Sequence, residues 1–139
     1  MREMIEAALQ KIVGEPAWAI GRAGLIWIQL GERKTVTSKR GSREVGQYAL
    51  HLSCPWIWRH GDQVIADADS DSEQLGRILA TPALCSSVAA EDSGAFRLSF
   101  SNGTDLQVDT GEEEGEYWRL FSPGDDSPHF VVGSDGIGN

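Results

Sequence analysis

The stretch YALHLSCPWIWRH, Tyr48 to His60, holds two histidines, a cysteine and two tryptophans. Together with Cys85, the side chains of His51, Cys54 and His60 supply two imidazoles and two thiols, the ligand number of a tetrahedral zinc site. The spacing argues against zinc, because no close cysteine pair is present. Strand alternation argues against it too: Tyr48, Leu50 and Leu52 share one face, with Cys54 following them, while His51 points to the other. A Cys54 nucleophile would need a neighbouring imidazole and a pair of amides to hold an oxyanion. Pro55 removes the next backbone N–H, a common source of such a donor. A small buried thiol at a strand end accounts for Cys54 without chemistry. With two cysteines in the chain, free thiols in a reducing compartment are expected, not a disulfide framework.

A second cluster, ADADSDSE, places Asp67, Asp69 and Asp71 at positions 1, 3 and 5 of a calcium-binding loop. The sixth residue is Ser72 instead of glycine, and the twelfth is Ile78 instead of the bidentate glutamate. An acidic lead into a short helix explains the same residues through the helix dipole. The sequence contains no dinucleotide fingerprint, P-loop, nucleophile elbow or zincin motif. No catalytic residue, metal ligand or cofactor is therefore assigned.

Charge says more. Residues 1–60 carry nine Lys/Arg and five Asp/Glu, a balance of +4; residues 61–139 carry three and sixteen, a balance of −13, for a total of −9. An acidic second half repels nucleic acid and anionic lipid and speeds encounter with a basic protein; it also serves solubility alone. No apolar run approaches the eighteen residues a membrane helix needs. MREMIEAALQKIVGEPAW has acids among its apolar residues and no continuous apolar core, so it does not read as a secretory signal, and a cytoplasmic protein is expected.

The elements that must position these groups follow from periodicity. Met1, Met4/Ile5, Ala8/Leu9 and Ile12/Val13 form one stripe, predicting a helix over 1–13 that ends at Gly14. RAGLIWIQL (22–30) is a strand with apolar residues on both faces, hence covered on both or part of a strongly curled sheet. Thr35 to Thr37 reads as a short return strand, SKRGSREVG as an exposed basic loop, and Val45 to Ser53 as a strand; after a turn near Cys54-Pro55, Trp56 to Ala66 reads as another, with His60-Gly61-Asp62 as a bend. Ser70 and Glu73 have capping-box spacing before Leu75, Ile78 and Leu79, and Thr81-Pro82 ends that helix. Alternation of Phe96, Leu98 and Phe100, the Asn102-Gly103 turn, and Leu106 with Val108 define a hairpin. Glu112 to Glu116 is a solvated acidic connection before strands at 117–121 and 130–132. The expected fold is one α+β domain over 1–139: a helix, a curled or partly closed, mostly antiparallel sheet of six to eight short strands over 17–132, one small inserted helix, and a frayed tail at 134–139.

The ordered segments GEPAW (14–18), LGE (30–32), GQYALHLSCPW (46–56), LGRIL (75–79), FRLSFSNGTDLQV (96–108), EYWRLFSP (116–123) and HFVVGSDGI (129–137) resemble a family of small bacterial proteins without established enzymatic activity. That family usually runs from the central tryptophan straight into arginine; here Ile57 and Trp58 intervene before Arg59. Such proteins are similar in style to the immunity proteins of bacterial toxin systems, which implies a protein-binding inhibitor with no active-site residues to transfer. The expected contact surface is Glu112, Glu113, Glu114 and Glu116, with Asp125 and Asp126 and with Asp67, Asp69 and Asp71, around an exposed Trp58 anchor. The partner implied is a basic protein, the cognate toxin, and neither nucleic acid nor membrane. Two alternatives stand beside it: a self-associating homodimeric module, and a small hydrolase or metal enzyme using His51, Cys54 and His60.

Overall fold

A computed structural model describes residues 1–138. Helix α1 spans Arg2–Leu9 and tightens into a 3₁₀ turn at Gln10–Ile12. Its buried stripe is Ile5, Leu9 and Ile12, each 0 % exposed. Gly14 follows at φ 90° and donates its N–H to the Cys85 carbonyl at 2.6 Å. This turns the chain into the sheet.

The first strands are β1 Pro16–Arg22, β2 Ile26–Leu30, β3 Lys34–Ser38, β4 Gly41–Val45 and β5 Tyr48–Leu52. After a crossover come β6 Trp56–His60, β7 Gln63–Asp67, helix α2 Ser72–Ile78 and β8 Ala83–Ala90. The chain then forms β9 Phe96–Phe100, β10 Thr104–Val108, β11 Glu116–Phe121, β12 Phe130–Gly133 and β13 Gly136–Gly138. Eleven strands make one antiparallel sheet in the order β13-β12-β11-β5-β2-β1-β8-β9-β10-β6-β7, while β3 and β4 pair with each other.

This overturns the expected fold. The chain is 49 % strand and 13 % helix, and its sheet is open, with far more than six to eight strands. Besides β1 (Pro16–Arg22), which takes Arg22 from the strand expected at 22–30, three segments account for the difference. ALCSSVAA forms β8 by burying small side chains, Ala83, Cys85 and Ala90, which leave no bulky alternating signal. The polar stretch expected to be a basic loop is a hairpin turning at Gly41 (φ 111°), so the strand expected at 45–53 breaks at Gly46 into β4 and β5. The tail at 134–138 folds back as β13, with Val132 opposite Ile137; Asn139 lies outside the described residues. Helical structure is divided as well, since the 1–13 helix loses its regular α form after Leu9.

The sheet bends sharply at its middle. β1 and β8 share two register positions, Pro16↔Leu84 and Ala17↔Ala83. Beyond this hinge the halves fold toward each other. Trp118 of β11 packs on Phe96 of β9 with ring centroids 4.8 Å apart, although four strands separate β11 from β9 in the order. The Trp118 indole N–H also donates to the Gly94 carbonyl at 2.9 Å. Between the halves lies the core, with Ile28, Leu30, Leu50, Trp56, Trp58, Leu106 and Val108 at 2 % exposure or less. Burying these apolar groups is the main stabilising contribution.

Candidate partner-binding cleft

β5 leaves one half of the sheet at Leu52, crosses through Ser53, Cys54 and Pro55, and enters the other half at Trp56. The acidic connection runs alongside this crossover and is tied to it. The Asp109 N–H donates to the Pro55 carbonyl at 2.9 Å, and the Ser53 N–H donates to the Tyr117 carbonyl at 2.8 Å. On the other flank, Arg22 at the end of β1 donates to the carbonyls of Ala68 (2.9 Å) and Ser70 (2.6 Å), fixing the turn before α2.

These elements enclose a cleft of about 880 Å³. Apolar lining comes from Leu25, Ile26, Leu52 and Tyr117, and the acidic residues are Asp69, Glu112, Glu113, Glu114 and Glu116. Arg22 is the basic residue of the lining, and its hydrogen bonds go to carbonyls, not to those acids. Among the described residues Asp69, Glu112, Glu113 and Glu114 have no cationic partner. The cleft therefore keeps a concentrated negative field against its apolar floor.

The remaining acids expected at the contact surface have other positions or uses. Asp67 accepts the Asp69 N–H at 2.9 Å. Asp71 is the N-cap of α2: it accepts the Gln74 N–H at 2.8 Å, and the Gln74 side chain accepts the Asp71 N–H at 3.2 Å. The capping box is thus Asp71/Gln74, replacing the expected Ser70/Glu73, and Ser70 is buried. Asp125 and Asp126 lie outside the cleft in the exposed loop after β11, where Asp125 accepts the Ser127 N–H at 2.8 Å and Gly124 sits against Val36 of β3. Trp58 is not a surface anchor. It is 0 % exposed and stacks on Phe100 at 5.0 Å, because its face of β6 is turned into the core.

His51, Cys54 and His60 are not brought together. His51 lies opposite Trp27 and Arg119 on β5; His60 ends β6, opposite Thr104, in the other half of the sheet. Cys54 is buried at the crossover, and burial, reinforced by Asp109, pushes its thiol up to about 12. A thiol so protonated is a poor nucleophile.

A second cluster escaped the sequence reading. Arg119 donates through Nε to Glu116 at 2.9 Å, makes a second contact through Nη2, and donates through Nη1 to His129 Nδ1 at 2.8 Å. Because a guanidinium only donates, His129 accepts at Nδ1. His129 stacks on Phe121 at 4.3 Å, and Phe121 meets His51 edge-on at 4.7 Å. Burial, then the Arg119 charge, lowers the His51 pKa, while the hydrogen bond from Arg119 lowers that of Glu116. Glu116 and Arg119 are three apart on a strand, which regular alternation would put on opposite faces. A register shift between Glu116 and Trp118 brings them together.

No helix among the described residues is long and apolar enough to cross a membrane. No family model, curated protein or solved structure matches the chain.

Proposed function

We propose that this chain is a cytoplasmic protein-binding module, an immunity-type inhibitor that holds a basic toxin partner in the acidic cleft. The observation that carries this reading is the convergence of Asp69 with Glu112, Glu113 and Glu114, remote in sequence, on one apolar-floored cleft where, among the described residues, none of the four is ion-paired and Arg22 is the one cation of the lining. Such an arrangement favours a Lys/Arg-bearing surface and speeds its arrival by electrostatic steering. Leu25, Ile26 and Tyr117 supply apolar contact for the stems of those side chains.

The test begins with a tagged pull-down from the native organism at low and high salt, followed by titration of the retained partner. Wild type is expected to bind in a salt-sensitive manner. The triple variant Glu112→Lys, Glu113→Lys, Glu114→Lys is expected to lose about tenfold or more in affinity, mostly through association rate, with a flatter salt dependence. Unchanged affinity in that variant would remove the cleft from the interface. Self-association is the second reading, favoured by the edge strand β7, which exposes Val64 at 45 % beside its unpaired backbone. A monomer mass independent of concentration would dismiss it.

A further inference from the structure

The outer face of the β1-β2-β5-β11 half-sheet holds a second concavity, which adjoins the acidic cleft at Leu25, the one lining residue the two share. Inward-facing Ile26, Ile28 and Leu30 fix the parity of β2, so Trp27 and Gln29 face outward. Two rows cross the strands on this side. One runs Gly21, Trp27, His51, Arg119; the other runs Ala19, Gln29, Ala49, Phe121. Small residues at 19, 21 and 49 make the depression. A Cβ on Gly21 would come 2.2 Å from the Trp27 ring, so the indole rests directly on β1. The β3–β4 hairpin overhangs the rim with Arg43 and Glu44, and Trp18 closes one side. The resulting cavity is about 380 Å³, within the range of small-molecule pockets.

Its charges decide what fits. Glu44 is engaged by Arg33 at 3.6 Å, and Arg33 also lies 4.3 Å over the Trp18 ring. Farther along the strand row, Glu116 is engaged by Arg119. Arg43 has no carboxylate partner among the described residues, leaving an unpaired positive charge on the lip of an aromatic cavity in a protein of net charge −9. The Gln29 side-chain oxygen is taken by the Gly46 N–H at 2.8 Å, so what its amide offers a ligand is the NH₂ donor.

We propose that this cavity binds a small planar aromatic anion, its ring among Trp27, Trp18, Phe121 and His51 and its acid group at Arg43. Rings of this kind gain from edge and face contacts with indole and phenyl groups. A carboxylate gains a charge-assisted bond from a guanidinium. The site uses none of the cleft acids, so it stands or falls independently of the inhibitor reading.

The test is an NMR titration of the isotope-labelled full chain with indole-3-acetate, and with indole-3-acetamide as its uncharged twin. Saturable shifts are expected at the Trp27 and Trp18 indole N–H signals and at the His51 ring, at millimolar concentration or below. The amide should bind about tenfold more weakly, the equivalent of one charge-assisted bond. Arg43→Gln, on the exposed hairpin, should bring the acid down to the affinity of the amide. Ala49→Leu, which fills the floor, should abolish both, with a dispersed spectrum as the check of folding. The triple cleft variant should bind the acid like wild type. Absence of saturable shifts at these residues, equal affinity for acid and amide, or indifference to Arg43→Gln would each overturn the proposal.

Discussion

Replacing Trp118 by phenylalanine asks whether one buried indole holds the two halves of the sheet against each other. The side chain is 0 % exposed, meets Phe96 at 4.8 Å and Phe130 at 5.8 Å, and donates to the Gly94 carbonyl at 2.9 Å. Phenylalanine keeps a ring but not the donor. Leaving that carbonyl without its partner costs about 1–3 kcal/mol. The space vacated by the smaller ring costs about 1–2 kcal/mol more, by analogy with other large-to-small core changes. The sum, about 2–5 kcal/mol, is a large share of a typical domain stability of about 5–15 kcal/mol. For a chain of this size it corresponds to a fall in Tm of about 7–17 °C. Urea unfolding followed by far-ultraviolet circular dichroism should show a lower midpoint with an unchanged slope. A loss below about 1 kcal/mol would refute the claim that the Trp118–Gly94 bond bridges the halves. Glu116 and Tyr117 precede Trp118 on the same strand and line the cleft, so the variant should also weaken partner binding.

Three further outcomes follow from the same geometry. Burial pushes the Cys54 thiol up to about 12 and the Cys85 thiol to about 11, so both should resist a thiol reagent in the native protein and react promptly in urea; rapid native labelling of Cys54 would contradict its placement. Asp71→Ala removes the carboxylate that accepts the Gln74 N–H, leaving only the backbone half of the α2 capping box, and should lower stability by about 1 kcal/mol; an unchanged urea midpoint would argue against the cap. The His51 pKa is lowered from 6.5 by burial and then by Arg119, so the unfolded chain takes up this proton first as pH falls. Its contribution is fully present above 6.5 and is lost as pH falls through the lower folded-state value, with Glu116, also lowered, adding a loss in more acid solution. His51→Gln should flatten the pH dependence of the urea midpoint just below neutrality, and an unaltered profile would refute the linkage.

Local chemistry made part of this molecule readable from its sequence. The β9–β10 hairpin is legible because Asn102-Gly103 supplies the turn, with Gly103 at φ 83°, and bulky residues alternate on both sides. β8 is not, since alanine, cysteine and serine carry no strand signal and gain their place from what they pack against. The acids of the cleft were visible as acids, but their convergence depends on the β5–β6 crossover and on Arg22 fastening the 68–70 turn, both long-range events. Trp58 misled for a physical reason. Trp56 and Trp58 share one strand face, and in a strand of an antiparallel sheet two bulky residues on one face mark the core.

The segment RAGLIWIQL shows where the two kinds of inference meet. Its apolar residues on both faces implied cover on both sides, and β2 is indeed packed inward through Ile26, Ile28 and Leu30. On the other side Trp27 and Leu25 are only half-buried, and their cover is partial: Trp27 rests on Gly21 and the β3–β4 hairpin overhangs the gap. An apolar face whose own fold leaves it half covered exposes surface that association can bury. The two-faced strand thus carries functional information that alternation alone treats as a folding constraint. Filling the floor with Ala49→Leu separates these meanings: a stabilised chain that no longer binds an aromatic acid would mark the gap as a binding site held open against stability.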